Sequence, residues 1–334
     1  MAKYLITGAT GFVGSHVADA VISRGGTVRA LARPTADLGN LKSLGAEIVS
    51  GDLSDAATVA KAADGVDFVI HCAAKVGDWG HVDEYRKVNV EGLRHLLDAV
   101  RGKPLARFVH VSSLGVYAAR HHDGTDETEP LPDSHIDGYT QSKVECEKLA
   151  LEYHRKFEVP VTVLRPGFIY GPRDRSVLPR LADRLAKRDI VYIARGRYAL
   201  NTTYVGNLVD AIFLAAENPN AVGEVFNVTD GEFVSKRRFF EAVADGLGLP
   251  RPRGSVPLWL AKRVAPWREA VFRRKNKPHP PRITMATLKF AGLNLDFSIA
   301  KARRVLGYDP KIGFDEGMRA AIAWMKESKP QSAV

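Results

Sequence analysis

Within the stretch DGYTQSKVE, residues 137–145, Tyr139 and Lys143 stand four residues apart. On a helix that spacing places both on one face. A free phenol titrates near ~10 and is a poor base at neutral pH. A nearby ammonium favours the phenolate and lowers that value. Such a tyrosine can exchange a proton with a carbonyl or alcohol oxygen. The chain holds ten tyrosines, so the pair could equally be two residues that happen to share a helix. The rest of the chain has to decide.

A second chemical signal lies at the start. ITGATGFVGSH places Gly8, Gly11 and Gly14 between an apolar run and a helical pattern. The first glycine permits a tight turn, the second lets a pyrophosphate approach the backbone, and the third lets helix and strand pack closely. The helix N-terminus then presents free N–H groups to an anion. The next apolar run ends at ALARP, where Arg33 stands in place of the acid that usually holds a ribose 2′-hydroxyl. A guanidinium suits a 2′-phosphate, which favours NADP(H) and leaves NAD(H) open; a surface arginine beside a loop is the plainer reading. Asp52, in GDL, could accept from an adenine amino group or simply close a turn.

These residues need a frame. KYLIT (3–7), TVRALA (27–32), AEIVS (46–50), DFVIH (67–71), RFVHVSS (107–113), PVTVLRP (160–166) and EVFNV (224–228) read as strands. Several are apolar on both faces, as buried parallel strands are. Helical patterns separate them. Val13, Val17 and Val21 fall four apart, DEYRKVNVEGLRHLLDAV reads as one helix, and YTQSKVECEKLALEYHRKF as another. Later, SKRRFFEAVADGLG has Ser235 as N-cap, and SIAKARRVLG repeats that grammar from Ser298. The alternation predicts an α/β fold: a doubly wound parallel-sheet Rossmann domain with a smaller C-terminal substrate-binding lobe. Residues 1–170 form the sheet domain, 201–230 return to it, and 171–200 with 231–330 form the lobe.

Composition bounds the partners. The chain has 334 residues, 45% hydrophobic and 26% charged, a soluble globular profile. No secretory pattern and no membrane-spanning apolar run is visible, and two cysteines, Cys72 and Cys146, suit a reducing cytoplasm. The net charge of +10 resides in residues 251–290, which hold eleven Lys or Arg and one acid, Glu269. In that segment Leu260, Val264, Trp267 and Val271 lie at helical spacing among basic residues. The pattern fits a peripheral membrane contact through 256–277, a lid helix with a solvated charged face, or a site for an acidic substrate. It matches no nucleic-acid module. The loop RHHDGTDETEPLPD (120–133) fits no standard ligand set for a metal and reads as solvated. KPHPP (277–281) reads as a loop and ESKPQSAV as a frayed tail.

Along nearly its whole length the chain resembles an extended short-chain dehydrogenase/reductase. The matching pieces are TGATGFVG, GDL, HCAA (71–74), NVEG (89–92), VSSLGVY (111–117), YTQSK (139–143) and LRPGFIYGPR (164–173). The resemblance implies a nicotinamide-dependent enzyme with Tyr139 and Lys143 at its centre. It implies that Ser113 hydrogen-bonds the reacting oxygen, with Ser112 as runner-up because strand neighbours face opposite ways. It implies that Asn89 holds a water near the lysine; a helix-kink role is the plainer reading. Thr10, Phe12, Val13, Leu53 and Lys75 join the cofactor contacts, Ala73 and Ala74 line its floor, and Pro166 and Gly167 border the nicotinamide.

Within that family, sugar-nucleotide epimerases and dehydratases typically carry an arginine where this chain has Asn201. YVGNLVDA, GPRDRSVLPRL and AAKVGDWGHVDEYRKVNVEG instead resemble the 3β-hydroxysteroid and sterol dehydrogenases and the 2-alkyl-3-oxoalkanoate reductases. The resemblance implies hydride transfer at a 3-hydroxy or 3-keto group of a lipophilic small molecule. The alternatives are a sugar-nucleotide epimerase or dehydratase with tightly held NAD and, remotely, a non-catalytic NADP-sensing binding protein. Trp79 and Tyr85 either wall an apolar pocket or pack under a loop. The helices at 83–101 and 139–157 allow a homodimer.

Overall fold

The computed structural model describes residues 1–77, 79–275 and 284–328. In chain order its strands are β1 (Lys3–Thr7), β2 (Thr27–Ala32), β3 (Glu47–Ser50), β4 (Phe68–His71), β5 (Arg107–Val111), β6 (His122–Thr125), β7 (Val161–Pro166), β8 (Phe168–Tyr170), β9 (Tyr192–Ile193), β10 (Thr202–Tyr204), β11 (Val225–Val228), β12 (Ser255–Val256) and β13 (Leu295–Phe297). Its helices are α1 (Phe12–Ser23), α2 (Gly39–Ser43), α3 (Ala56–Ala62), α4 (Val82–Tyr85), α5 (Glu91–Val100), α6 (Gly138–Phe157), α7 (Val177–Ala186), α8 (Val205–Glu217), α9 (Lys236–Leu247), α10 (Leu258–Arg274), α11 (Met285–Gly292), α12 (Ala300–Leu306) and α13 (Phe314–Ser328).

Seven parallel strands form one sheet in the order β11-β7-β5-β4-β1-β2-β3. The order reverses between β1 and β4, so a crevice opens there, beyond the carboxyl ends of the strands. Alternating side chains fill two cores. Tyr4 and Ile6 of β1 pack with Val17 and Val21 of α1 and Leu208 and Ile212 of α8 on one face. Leu5 between them joins Val59 of α3, Leu96 of α5 and Leu149 of α6 on the other. Covering both faces explains why these strands read as continuous apolar runs. Each fully buried Leu or Val contributes about 1.5–3 kcal/mol.

A third core gathers Leu178 of α7, Phe239 of α9 and Met318 of α13 beneath Tyr170. The division along the chain is less clean than the sequence implies. Ile299, Ala302, Leu306 and Tyr308, expected in the lobe, pack into the same core as β1 and α8.

Three other local expectations change. The single helix read over 83–100 contains a π-helical turn at Arg86–Val90, between α4 and α5. The loop 120–133 is not simply solvated: β6 pairs with β13, and His122 is fully buried, its ring 4.5 Å from that of Phe297. Its partner strand lies about 170 residues away, so no local pattern announced it. Ser298 precedes α12 by two residues and receives the Ala300 N–H at 3.2 Å, while Ile299 occupies the N-cap. The KPHPP loop and residues 329–334 lie outside the described residues.

α10 forms, with Pro266 inside it. The side chains it buries are Ala261 and Ala265, whereas Leu260 and Trp267 of the expected apolar face are exposed. The small alanines set how closely the helix can seat, so it packs against α11 through the Ile193–Ala261–Leu288 cluster. Among the described residues no helix is long and apolar enough to cross a membrane.

Candidate active site

The β1–α1 turn is built by exclusion of side chains. Gly8 has φ +71°, and a Cβ there would lie 2.8 Å from the Ala73 nitrogen. At Gly14 a Cβ would lie 2.2 Å from the Gly8 carbonyl oxygen. Only glycine permits both approaches. Gly11 is the N-cap of α1 and offers no side-chain acceptor. The first N–H groups of the helix therefore have no capping side chain and face the crevice end of the sheet. This cradle fits a dinucleotide pyrophosphate. Thr10, Phe12 and Val13 belong to the same turn, and Ala73 seats directly on Gly8 from the neighbouring β4 end.

Arg33 is exposed just past β2 and has no ion pair among the described residues. Asp52 is exposed and takes the Ser54 N–H at 3.0 Å, so it does close a turn. Leu53 beside it is buried against the position of Gly92. Pro166 ends β7. Gly167 follows, and a Cβ there would lie 2.2 Å from the Asn201 carbonyl oxygen.

The chemical residues come from β5 and α6. Asp137 caps α6 by accepting the Thr140 N–H at 2.8 Å, which fixes where Tyr139 leaves the helix. β5 ends at Val111, so Ser112 and Ser113 diverge. Ser112 is buried and donates to Glu147 Oε1 at 2.5 Å. Ser113 stays half-buried and accepts the Gly115 N–H at 3.0 Å, and it lowers the pKa of the Tyr139 phenol. Ser112 is thus committed to Glu147, whereas the Ser113 Oγ and the Thr140 methyl flank the same Gly115 position, which sets Ser113 at the start of α6.

Lys143 is buried and its Nζ donates to the Val111 carbonyl at 2.8 Å. Burial lowers its pKa, and the neighbouring Cys146, Cys72 and Glu147 oppose that fall. Tyr139 behaves differently from the sequence expectation. Burial raises its pKa above the ordinary phenol value, Asp137 adds to the rise, and the Ser113 hydrogen bond partly offsets it. At neutral pH Tyr139 is therefore a protonated phenol, the form that can donate.

Asn89 sits in the π-helical turn, fully inside the protein. Its Oδ1 accepts the Lys75 N–H at 2.7 Å, and its Nδ2 donates to the Lys75 carbonyl at 3.1 Å and to Ser142 Oγ at 2.9 Å. It ties the loop after β4 to α6 one residue before Lys143. Tyr85 is also buried, donates to the Trp79 carbonyl at 3.0 Å and packs over Gly138, so it lies under its loop.

Several residues here had no role assigned from the sequence, although His71, Tyr117 and Arg165 lie within the matching pieces. Glu147, one turn beyond Lys143, holds Arg165 through contacts of 2.6–3.1 Å. Arg165 also donates to the Tyr117 hydroxyl at 2.8 Å, which bonds Asn227 Oδ1 at 2.9 Å. Lys289 of α11 donates to the Gly115 and Tyr117 carbonyls at 2.6 and 2.8 Å, pinning the turn after Ser113 from the lobe. Beneath Lys143, the rings of His71 and His110 stack at 5.3 Å. Burial lowers the His71 pKa to about 3, with Lys143 adding to the fall. A charged residue at i+4 on a helix gives no hint of which face it serves. Among the described residues there is no cluster able to hold a metal ion.

Comparison with known proteins agrees with this geometry. Residues 4–229 match the model of the NAD dependent epimerase/dehydratase family. The chain is 31% identical to a 4-hydroxy-2-methyl-3-oxo-4-farnesyl-3,4-dihydroquinoline-1-oxide ketoreductase of Stigmatella aurantiaca, covering 95% of both chains. It is 32% identical to a 3 beta-hydroxysteroid dehydrogenase/Delta 5→4-isomerase of Mycobacterium tuberculosis, covering 93% of this chain and 86% of the other. The solved UDP-glucuronic acid 4-epimerase of Bacillus cereus, in complex with UDP-glucuronic acid and NAD, superposes with a TM-score of 0.77 at 23% identity, covering 97% of this chain and 99% of that one. At that identity the likeness establishes the fold.

The chain belongs to the NAD-dependent epimerase/dehydratase family.

Proposed function

We propose that this family member is an oxidoreductase that interconverts a 3-oxo and a 3-hydroxy group on an apolar, steroid-like or acyl substrate, with NADP(H) preferred. The observation that carries the reading is the convergence of Tyr139, Ser113 and Lys143 at the carboxyl edge of the sheet, beside the Gly8–Gly14 cradle. The 3-oxo and 3-hydroxy chemistry named for the two curated relatives supports it. Arg33, exposed and without a carboxylate partner among the described residues, favours a 2′-phosphate.

The nicotinamide, when bound, supplies the hydride for reduction and accepts it for oxidation. The protein's own residues handle the oxygen. Ser113 positions the substrate oxygen and donates a hydrogen bond to it. Tyr139 gives its phenolic proton to that oxygen as the carbonyl carbon becomes tetrahedral, which suits a phenol held in its neutral form. Lys143, one turn on, limits the cost of the phenolate left behind. Asn89 holds the Lys75 loop against α6, keeping cofactor floor and catalytic helix in register.

The test is a turnover screen following nicotinamide absorbance with sterol alcohols, 3-oxoacyl compounds and UDP-sugars side by side. Turnover of one of the first two classes, abolished in Tyr139→Phe by roughly 10²–10⁴-fold with cofactor affinity retained, is the expected result. Epimerisation of a UDP-sugar without net change in the nicotinamide would overturn the substrate class. Undiminished turnover in Tyr139→Phe would overturn the mechanism.

A further inference from the structure

The lobe contains a cavity of about 480 Å³ whose lining joins α7, α10 and α11. That volume falls in the range of small-molecule sites. Its floor is apolar, formed by residues such as Leu181, Ile190, Phe240 and Phe290. Two links tie it to the candidate active site. Phe168, which lines it, follows Gly167 directly and meets the Phe290 ring at 5.1 Å. Phe290 in turn neighbours Lys289, whose ammonium holds the carbonyls of Gly115 and Tyr117 just after Ser113.

The rim has the opposite character. Arg180, Arg184, Arg188 and Arg268 all line the cavity, with Asp189 as the acid among the described lining residues. All four arginines are exposed, and none has an ion pair among the described residues. Arg180 and Arg184 stand one turn apart on α7, so they share a face. Arg188 follows the helix with φ 55°. The helix dipole does not account for this set. A cation in the last turn is favoured, which covers Arg184, but Arg180 is the fourth residue of α7, at the end that disfavours a cation. Like charges one turn apart are also unfavourable on their own. An anion placed among them would remove both costs.

We propose that this cavity holds the far end of the substrate and that its arginines select a molecule with an apolar body and a terminal phosphate. Guanidinium groups bind phosphate oxygens in pairs, and the apolar floor takes the chain between the phosphate and the reacting oxygen. The inference rests on the oxidoreductase reading for the identity of the near end only.

The experiment uses the full chain in two arms. In the first, KM is compared for a 3-oxoacyl phosphopantetheine thioester and the same pantetheine thioester lacking the phosphate. The second arm titrates decyl phosphate and decanol calorimetrically, below aggregation and without cofactor. Wild type should favour the phosphorylated partner by about tenfold or more in each arm, falling toward parity in Arg180→Gln/Arg184→Gln. Lys187→Gln is the control. It removes a charge next to α7 that is paired with Asp183 at 2.8 Å and does not line the cavity, and it should leave the ratio unchanged. Equal affinities in wild type, or a ratio untouched by the double substitution, would overturn the proposal. Selective decyl phosphate binding without turnover of any 3-oxo compound would sustain the anion site and count against the oxidoreductase reading.

Discussion

Glu147 provides the sharpest test of how the site is supported. Its side chain is 1% exposed, and that of its partner Arg165 is 6% exposed. The carboxylate takes the Arg165 Nε at 3.0–3.1 Å and Nη2 at 2.6 Å, and receives the Ser112 hydroxyl. Burial works against the Arg165 charge, yet the Glu147 charge and hydrogen bonds outweigh it and raise the guanidinium pKa. Glu147→Gln keeps the shape and one acceptor oxygen but removes the charge. Two unit charges about 4 Å apart interact by about 4 kcal/mol at an effective dielectric of about 20. Stranding a buried guanidinium typically costs about 3–5 kcal/mol. That is a large share of the roughly 5–15 kcal/mol that holds a domain folded. Equilibrium urea unfolding, followed by circular dichroism, should therefore show a loss of about 3–5 kcal/mol for Glu147→Gln. The double variant Glu147→Leu/Arg165→Met should recover most of it, because a paired apolar replacement leaves no orphaned charge and Tyr117 keeps its bond to Asn227. A loss below about 1 kcal/mol in the single variant, or a double variant no better than the single, would refute the claim that the pair acts as a unit.

Two further outcomes follow from the same geometry. Arg33→Ala should weaken NADPH binding by about tenfold while leaving NADH binding nearly unchanged, as read by fluorescence titration; an equal effect on both would remove the case for a 2′-phosphate contact. His71 is held neutral down to about pH 3, whereas an unfolded histidine takes its proton near ~6.5. Its folded pKa is depressed, so its contribution is complete above about pH 6.5 and is lost as pH falls toward 3. Across that window the slope of stability against pH should be steeper in wild type than in His71→Asn, by up to about 1.4 kcal/mol per pH unit. Parallel curves would show that His71 is not the group involved.

Much of the frame was legible locally. β1 and β2 fall on KYLIT and TVRALA, and β7 and β11 begin one residue inside the expected runs, because strands apolar on both faces leave a plain signature. The glycine turn was legible because Gly11 and Gly14 crowd the Gly8 carbonyl a few residues back, although the Ala73 backbone that crowds Gly8 comes from a distant strand end. The Ser112–Ser113 ambiguity was not resolvable, since alternation says that neighbours diverge and not which one meets a partner 26 residues on. Tyr85 offered a large aromatic ring, but whether it faced a pocket or a loop depended on Gly138, some fifty residues away.

The residue types and short spacings by themselves determined the nucleotide cradle, the Tyr139–Lys143 helix face and the doubly wound order of strand and helix. The tertiary structure alone decided the ionisation of that pair, the Glu147–Arg165 support beneath it, the burial of His122 and the arginine rim of the lobe cavity. Backbone propensity and periodicity act over a few residues. Desolvation and charge pairing depend on which distant segments close over a group, and that is settled only when the chain has packed.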